Sequence, residues 1–301
     1  MMGGHRILAG CACAVACETL FGLSYLFTKD ALEGASELAL LGWRFLVGVL
    51  AMLLCTAFGI VKVHLRGRKL GLLFSIALFS PVLYFIGETF GIGCTSASES
   101  GAFLACIPVA ALAASSIYLK KKPSKIQIAG ILVTLCGVLA TLIAASVRPS
   151  FSPLGYAMLL LAVASYAMYS VLVEKARDCS SAEITFAMLL AGATAFVPAA
   201  LAEALASGDA AALAALPFTN SHFLAACLYQ GIGCSVLAFF LSNAAIARIG
   251  VNRAASFLGV STAVAVVSGV LILGEQFTAS QCAGVVLILS GVLVANSQAK
   301  A

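Results

Sequence analysis

Long apolar segments are the feature that most constrains how this chain folds. Ten runs of about 20 mainly apolar residues follow one another with short connections. Because lipid offers no hydrogen-bonding partner to the backbone, runs of this length predict membrane-spanning helices. The chain is 62% hydrophobic and only 10% charged, unlike a soluble domain. We therefore expect an all-α integral membrane protein, with a surface helix between residues 204 and 221 and spans at 7–28, 38–60, 70–91, 97–118, 125–145, 153–173, 183–204, 222–243, 251–273 and 279–297.

The distribution of basic residues predicts the orientation of these ten spans. If the N-terminus is cytoplasmic, the inside segments hold 14 of the 17 Lys and Arg residues, whereas the outside loops hold only Lys29 and Arg148. Cytoplasmic loops of membrane proteins carry such an excess. The sequence thus predicts a multi-pass protein of the cell membrane with both termini in the cytoplasm. The net charge of +5 then indicates topology and lipid-headgroup contact rather than nucleic-acid binding.

An internal repeat divides the chain into two halves. A shift of 154 residues aligns 88–142 with 242–296 without a gap. We interpret the chain as two five-helix units, residues 7–145 and 153–297. Because five is odd, the second unit enters the membrane from the opposite side, which is the inverted arrangement of alternating-access transporters. The matches include Phe103-Leu104 with Phe257-Leu258, Gln127 with Gln281, Gly130 with Gly284, and Gly137-Val138-Leu139 with Gly291-Val292-Leu293, and a weaker match shifted by 146 residues pairs Ser24 with Ser170 and Lys29 with Lys175.

Several short motifs resemble a known family. The second half contains Ser235-Val236-Leu237-Ala238-Phe239, Arg248-Ile249-Gly250 and Leu273-Gly274-Glu275, and the first half contains Gly42-Trp43-Arg44-Phe45 and Thr95-Ser96-Ala97-Ser98. Together they resemble the EamA-type branch of the drug/metabolite transporter superfamily. The resemblance implies ten helices in two inverted halves and secondary transport, often export, of small metabolites. The chain departs from the pattern at Phe21, where a tryptophan is expected, and near Ser261-Thr262, where a proline is expected.

Three ionisable residues lie well inside the predicted spans: Glu18, Arg44 and Glu88. An ionisable group at such depth is costly and marks a candidate functional position. Glu18 is expected near the middle of the membrane, and Arg44 and Glu88 in its outer half, where the two are close enough to pair. Their pairing would be either a structural ion pair or part of a binding site. For Glu88 we favour substrate binding or coupling to protons.

The repeat extends this candidate site to neutral polar residues. At the shift of 154 residues, Glu88-Thr89 corresponds to Ser242-Asn243, so both pairs are expected at similar depth facing a central cavity. Each neighbouring tyrosine is also explained by packing alone, because a tyrosine often fills a helix interface. The further candidates for the lining are Tyr84, Tyr166, Tyr169, Ser170, Tyr229 and Gln230.

The leading hypothesis is a secondary transporter of a small polar or amphipathic metabolite, such as an amino acid, and not an enzyme. The alternative is a membrane-embedded enzyme or flippase acting on a lipid headgroup, but an enzyme needs a dense set of catalytic groups and His5, His64 and His222 are isolated. A channel suits the unequal charge of the two halves less well. The chain lacks a nucleotide-binding loop, and Cys13 and Cys17 have no further ligand nearby, so we expect neither ATP hydrolysis nor a cofactor or metal.

Overall fold

The computed structural model describes residues 2–32, 34–95, 97–143, 152–273 and 279–297. Within these residues the regular structure is helical, which confirms the all-α class. Eight segments of the described chain are long and apolar enough to cross a membrane. They are Gly4–Thr28, Glu37–Ala57, Leu70–Gly93, Ser100–Tyr118, Pro153–Lys175, Ser181–Ser207, Ser221–Ile249 and Val251–Ile272.

Several of these segments contain more than one helix. A helix also lies between residues 204 and 221, as expected, and it is mostly exposed. In chain order the elements are α1 (Met2–Leu32), α2 (Glu37–Ala57), α3 (Leu70–Ala77), π1 (Leu78–Leu83), α4 (Tyr84–Gly93), α5 (Ala97–Leu104), α6 (Ile107–Tyr118), α7 (Lys125–Ile143), α8 (Pro153–Lys175), α9 (Ser181–Ser207), α10 (Ala210–Thr219), α11 (Ser221–Leu228), π2 (Tyr229–Ala238), α12 (Phe239–Ile249), α13 (Val251–Ala255), α14 (Gly259–Leu273) and α15 (Ala279–Asn296).

The third and eighth predicted spans each contain a π-helical segment. In the third, π1 includes Pro81, and the preceding Ser80 has non-helical backbone angles (φ −142°, ψ 119°). A proline inside a helix removes one backbone hydrogen bond and kinks the chain. In the eighth, π2 begins at Tyr229 and joins α11 to α12. The sequence predicted both spans as uninterrupted runs.

The fourth and ninth predicted spans are also divided. Residues 105 and 106 separate α5 from α6, and Pro108 lies in the first turn of α6, where its missing N–H costs nothing. In the ninth span, residues 256–258 separate α13 from α14. The predicted end of the first repeat at 144–145, and Gly274-Glu275 of the family motif, lie outside the described residues.

The helices α7 and α15 pack against each other through glycines. A Cβ added at Gly130 would lie 2.6 Å from the carbonyl oxygen of Gly291. A Cβ added at Gly137 would lie 2.7 Å from the carbonyl oxygen of Gly284. Small residues let two helix backbones approach this closely in a membrane. Since the early glycine of each helix meets the late glycine of the other, the two helices are antiparallel.

An aromatic cluster forms the middle of the largest core. Phe45 of α2 is fully buried and lies against Phe85, Phe196 and Phe239, with ring centroids 5.7, 5.4 and 6.4 Å away, respectively. These rings come from α2, α4, α9 and α12, so the cluster holds four helices together. Around it α2 packs on α9, α4 on α8, and α12 on α1.

The buried carboxylate of Glu183 connects the loop before α3 to α9 through hydrogen bonds. Glu183 forms a capping box with Ser180 at the start of α9. Its Oε1 atom accepts hydrogen bonds from the backbone N–H of His64 at 3.3 Å and from Arg68 Nη2 at 3.0 Å. Because Glu183 is buried, these donors replace the water that it loses.

Candidate functional site

Arg44 lies at the centre of the helix bundle and is only 7% exposed. Its Nε atom donates a hydrogen bond of 2.7 Å to Ser235 Oγ in π2, and Nη1 donates a longer one of 3.4 Å to Gln230 Oε1. The guanidinium carbon also lies 4.7 Å from the ring centroid of Phe85, which is cation–π geometry. Arg44 therefore joins α2 to π2 through charge-assisted hydrogen bonds.

Glu88 forms no ion pair with Arg44 in the described part of the chain. Instead, Glu88 is half-buried and its Oε1 atom accepts a hydrogen bond of 2.8 Å from the hydroxyl of Tyr84, four residues earlier on the same helix. Positions i and i+4 share one face of a helix, so the sequence spacing already favours this bond. The adjacent Thr89 is also half-buried.

Three tyrosine rings continue from Glu88 across the interior. The ring of Tyr84 lies edge-on to that of Tyr166, with centroids 5.7 Å apart, and Tyr166 meets Tyr169 at 5.4 Å. The hydroxyl of Tyr169 then donates to Asn243 Oδ1 at 2.7 Å and lies 3.3 Å from Ser242 Oγ. A continuous aromatic and polar path therefore runs from α4 over α8 to α12.

Asn243 is completely buried, and its amide is engaged by its neighbours. Besides accepting from Tyr169, it donates through Nδ2 to Thr185 Oγ1 at 3.0 Å and lies 3.5 Å from Met188 Sδ. Hydrogen bonds from α8 and α9 thus fix its orientation. Ser242, by contrast, lines an internal cavity.

The internal cavity lies between α1, α8, α12 and α13. Its water-accessible volume is about 20 Å³, enough for about one water molecule. Glu18 of α1 lines it and is 5% exposed. No basic side chain of the described residues forms an ion pair with Glu18, and Cys17 Sγ lies 3.9 Å from its Oε1 atom. The other lining residues include Tyr166, Ser170, Ser242, Val251 and Leu258.

The two remaining candidates fasten π2 to α1. The Tyr229 hydroxyl donates to the carbonyl oxygen of Leu20 at 2.9 Å, and its ring stacks on Phe27. Gln230 Nε2 donates to Thr28 Oγ1 at 2.8 Å. Gln230 therefore connects α1 to Arg44 of α2, and both residues lie in interhelical contacts rather than in the lining of the cavity.

Sequence reasoning missed Ser235 and Thr28 as partners of this network. Ser235 appears in the sequence only as part of a family motif, and nothing local indicates that it faces Arg44 of α2. The available signal is a serine inside an apolar run, because a buried hydroxyl needs a partner. Among the described residues, no group of three or more His, Cys, Asp or Glu side chains is arranged to hold a metal.

Comparison with known proteins identifies the family. The profile of the EamA-like transporter family matches residues 8–143 and 153–297. The chain belongs to the EamA-like transporter family. This confirms the resemblance that the motifs indicated, and it makes the protein a membrane transporter of the drug/metabolite transporter superfamily.

Two relatives agree with this assignment of an EamA-like transporter, and a solved structure shares the fold. The uncharacterized transporter YcxC of Bacillus subtilis (strain 168) is 30% identical over 294 residues, which cover 97% of this chain and 94% of YcxC. The uncharacterized transporter YetK of the same organism is 25% identical over 300 residues, covering 97% of this chain and 86% of YetK. A crystal structure covers 98% of each chain with a TM-score of 0.77 at 18% identity, which shows a shared fold alone.

Proposed function

We propose that the protein is a secondary transporter that moves a small polar or amphipathic metabolite across the cell membrane by alternating access. The observation that carries this proposal is Glu18, a buried carboxylate without a basic partner among the described residues, at the wall of a small internal cavity. A buried charge is costly unless it is paired, protonated or occupied by a ligand. A cavity with room for about one water molecule fits a carrier whose two sides are closed.

The second part of the proposal is a fold of ten spanning helices in two inverted repeats, 7–145 and 153–297, with α7 and α15 as the fifth and tenth spans. The glycine contacts between α7 and α15 support it. Gly130 corresponds to Gly284 in the repeat, and Gly137 to Gly291, whereas the contacts join Gly130 to Gly291 and Gly137 to Gly284. Equivalent positions that exchange partners in this way are related by a two-fold rotation, as in an inverted repeat.

The packing of the other helices follows the same exchange. The contact of α4 with α8 joins the third span to the sixth, and the contact of α12 with α1 joins the eighth span to the first. In the repeat the first span is equivalent to the sixth and the third to the eighth. Exchanging the two halves therefore turns one of these contacts into the other. In addition, π1 (Leu78–Leu83), shifted by 154 residues, falls on 232–237, inside π2 (Tyr229–Ala238). The two π segments thus occupy equivalent places in the third and eighth spans.

Within this scheme the acidic residues bind the substrate or couple its movement to protons. Glu18 and Tyr166 line the cavity, and the ring of Tyr166 contacts that of Tyr84, whose hydroxyl binds Glu88. Glu18 would exchange a cation or proton with the cavity directly, and Glu88 would act through the tyrosine contacts beside it. We assign Arg44 a supporting role, because its hydrogen bonds go to neighbouring helices.

Transport by purified protein in proteoliposomes tests the proposed function. Labelled metabolites of different charge are offered with and without a pH gradient. Saturable flux of at least one compound is expected, and Glu18→Gln should abolish it or remove its dependence on the gradient. Glu203→Gln is the matched control, since Glu203 is exposed, does not line the cavity, and as glutamine keeps an oxygen that can accept the hydrogen bond of Ser36. Absence of saturable flux across a broad panel contradicts a carrier.

The proposed orientation is tested with two native cysteines. With both termini in the cytoplasm, Cys94 after α4 lies outside and Cys179 before α9 lies inside. Cys94 is exposed and Cys179 is partly exposed. In variants that keep one of these cysteines, a membrane-impermeant maleimide added to intact cells should label Cys94 and spare Cys179 until the membrane is opened. The reverse pattern contradicts the orientation.

A further inference from the structure

A second, open pocket lies where the α6–α7 connection, the end of α8 and the start of α13 meet. Its water-accessible volume is about 320 Å³. Pockets that bind small ligands have volumes of about 300–1,000 Å³, so this one is large enough for a small group. Val251 lines both this pocket and the Glu18 cavity, so the pocket lies next to the cavity without belonging to it.

The wall of the pocket carries an excess of positive charge. Lys121 and Lys122 face it from the α6–α7 connection, and Arg253 from α13. The one acidic residue in the wall, Glu174, is already engaged: it forms an ion pair with Lys121 Nζ and accepts a hydrogen bond of 2.7 Å from the backbone N–H of Val251. Lys122 and Arg253 form no ion pair with another described residue. At least two cations are therefore available to a bound anion.

An unpartnered polar atom gives a second indication of a ligand. Asn252 also lines the pocket, and its Oδ1 atom is buried without a hydrogen-bond partner among the described residues. A buried polar atom without a partner is unusual and is explained when a bound molecule completes it. A hydroxyl group of the phosphate compound would donate to this carbonyl after a small rotation of the side chain, while the phosphate oxygens, which only accept, face Lys122 and Arg253.

We propose that this pocket binds a phosphate group, carried either by an anionic lipid headgroup or by a soluble phosphate compound. An arginine fork matches the geometry of phosphate oxygens, and a lysine adds a compact charge beside it. The pocket lies on the face that we assign to the cytoplasm, where basic pockets between spanning helices hold anionic lipid headgroups. This proposal does not depend on the identity of the transported substrate.

The test measures thermal unfolding of the purified full-length protein in a neutral detergent. Inorganic phosphate is titrated against chloride at equal ionic strength, and short-chain phosphatidylglycerol against phosphatidylcholine. The pocket variant is Lys122→Gln/Arg253→Gln. The matched control, Lys62→Gln/Arg66→Gln, removes the same charge from exposed residues before α3. We expect the apparent dissociation constant of the stabilising probe to rise at least about tenfold in the pocket variant and to stay unchanged in the control.

The outcomes separate the two sources of phosphate. Stabilisation by inorganic phosphate supports a soluble ligand, and stabilisation by phosphatidylglycerol alone supports a lipid headgroup. If the double variant does not fold, the single change Lys122→Gln at an exposed position gives the same comparison. The proposal is overturned if neither probe stabilises the unaltered protein beyond its uncharged or chloride reference, or if the control loses binding as strongly as the pocket variant.

Discussion

The hydrogen bond between Arg44 and Ser235 is expected to be a strong interhelical contact in the bundle. Arg44 Nε lies 2.7 Å from Ser235 Oγ, and both side chains are buried. A hydrogen bond to a charged group contributes about 1.5–3 kcal/mol, so Ser235→Ala should lower the free energy of unfolding by about 2 kcal/mol. Arg44→Met leaves Ser235 without its donor but removes a buried charge, whose desolvation costs several kcal/mol, so its own effect is partly offset.

A double-mutant cycle separates the pair from these other effects. The coupling between Arg44→Met and Ser235→Ala is expected to be about 1.5–3 kcal/mol. The matched cycle with Gln230→Leu, whose bond to Arg44 is 3.4 Å long, should give less than about 1 kcal/mol because long hydrogen bonds are weak. Trp43, the single tryptophan, reports unfolding by fluorescence in mixed detergent micelles, and it lies beside Arg44 with its Nε1 atom 3.0 Å from the Leu213 carbonyl oxygen. A stronger coupling to Gln230 than to Ser235 would refute the assignment.

Three further variants, with Gly93→Ala as a control, test the packing and the acidic residues. Gly87→Ala should cost about 1–3 kcal/mol, because the added Cβ would lie 2.6 Å from a backbone oxygen of α8, whereas Gly93→Ala, with open space around it, should be neutral or stabilising in the same unfolding assay. Glu183→Gln should lower the free energy of unfolding by about 2 kcal/mol, since the partly exposed Arg68 and two backbone donors lose a buried, charged acceptor, and an unchanged midpoint would contradict that role. Glu88→Gln should abolish or uncouple transport while the protein still accumulates in the membrane, as measured by uptake and by immunoblotting; failure to accumulate would show that Glu88 has a structural role instead.

The sequence predicts the fold class because the constraint is local. A run of 20 apolar residues has one stable form in lipid, the helix, and each run shows this by itself. The interruptions within spans are less visible. Pro81 explains the kink in π1, but no proline or glycine pair marks the junction between α13 and α14 as a break inside 251–273. At this junction the path of the backbone depends on packing against neighbouring helices. The sequence of one apolar run carries no information about that packing.

The sequence predicts which polar residues belong to the candidate site, but it does not predict which residues they hydrogen-bond to. Glu18, Glu88 and Tyr84 stand out because polar residues are rare in these runs, and the bond between Tyr84 and Glu88 follows from their spacing of four. The hydrogen-bond partners of Arg44 lie 186 and 191 residues later in the chain, whereas charge alone points to Glu88, a group of opposite sign in the same half. To predict Ser235 as the partner of Arg44, one must know how π2 is rotated about its axis relative to α2.

The central claim is that the Glu18 cavity opens alternately to the two sides of the membrane. The rate at which Cys17 is modified from each side tests this claim directly. Cys17 is a buried native thiol that lines this cavity beside Glu18. In a transport-active variant that keeps Cys17 and has its other cysteines replaced by serine or alanine, a membrane-impermeant thiol reagent is added from one side at a time, with and without a transported substrate. We predict that Cys17 reacts from either side and that substrate changes the two rates in opposite directions. Reaction from one side only, or from neither side during active transport, would contradict alternating access through this cavity.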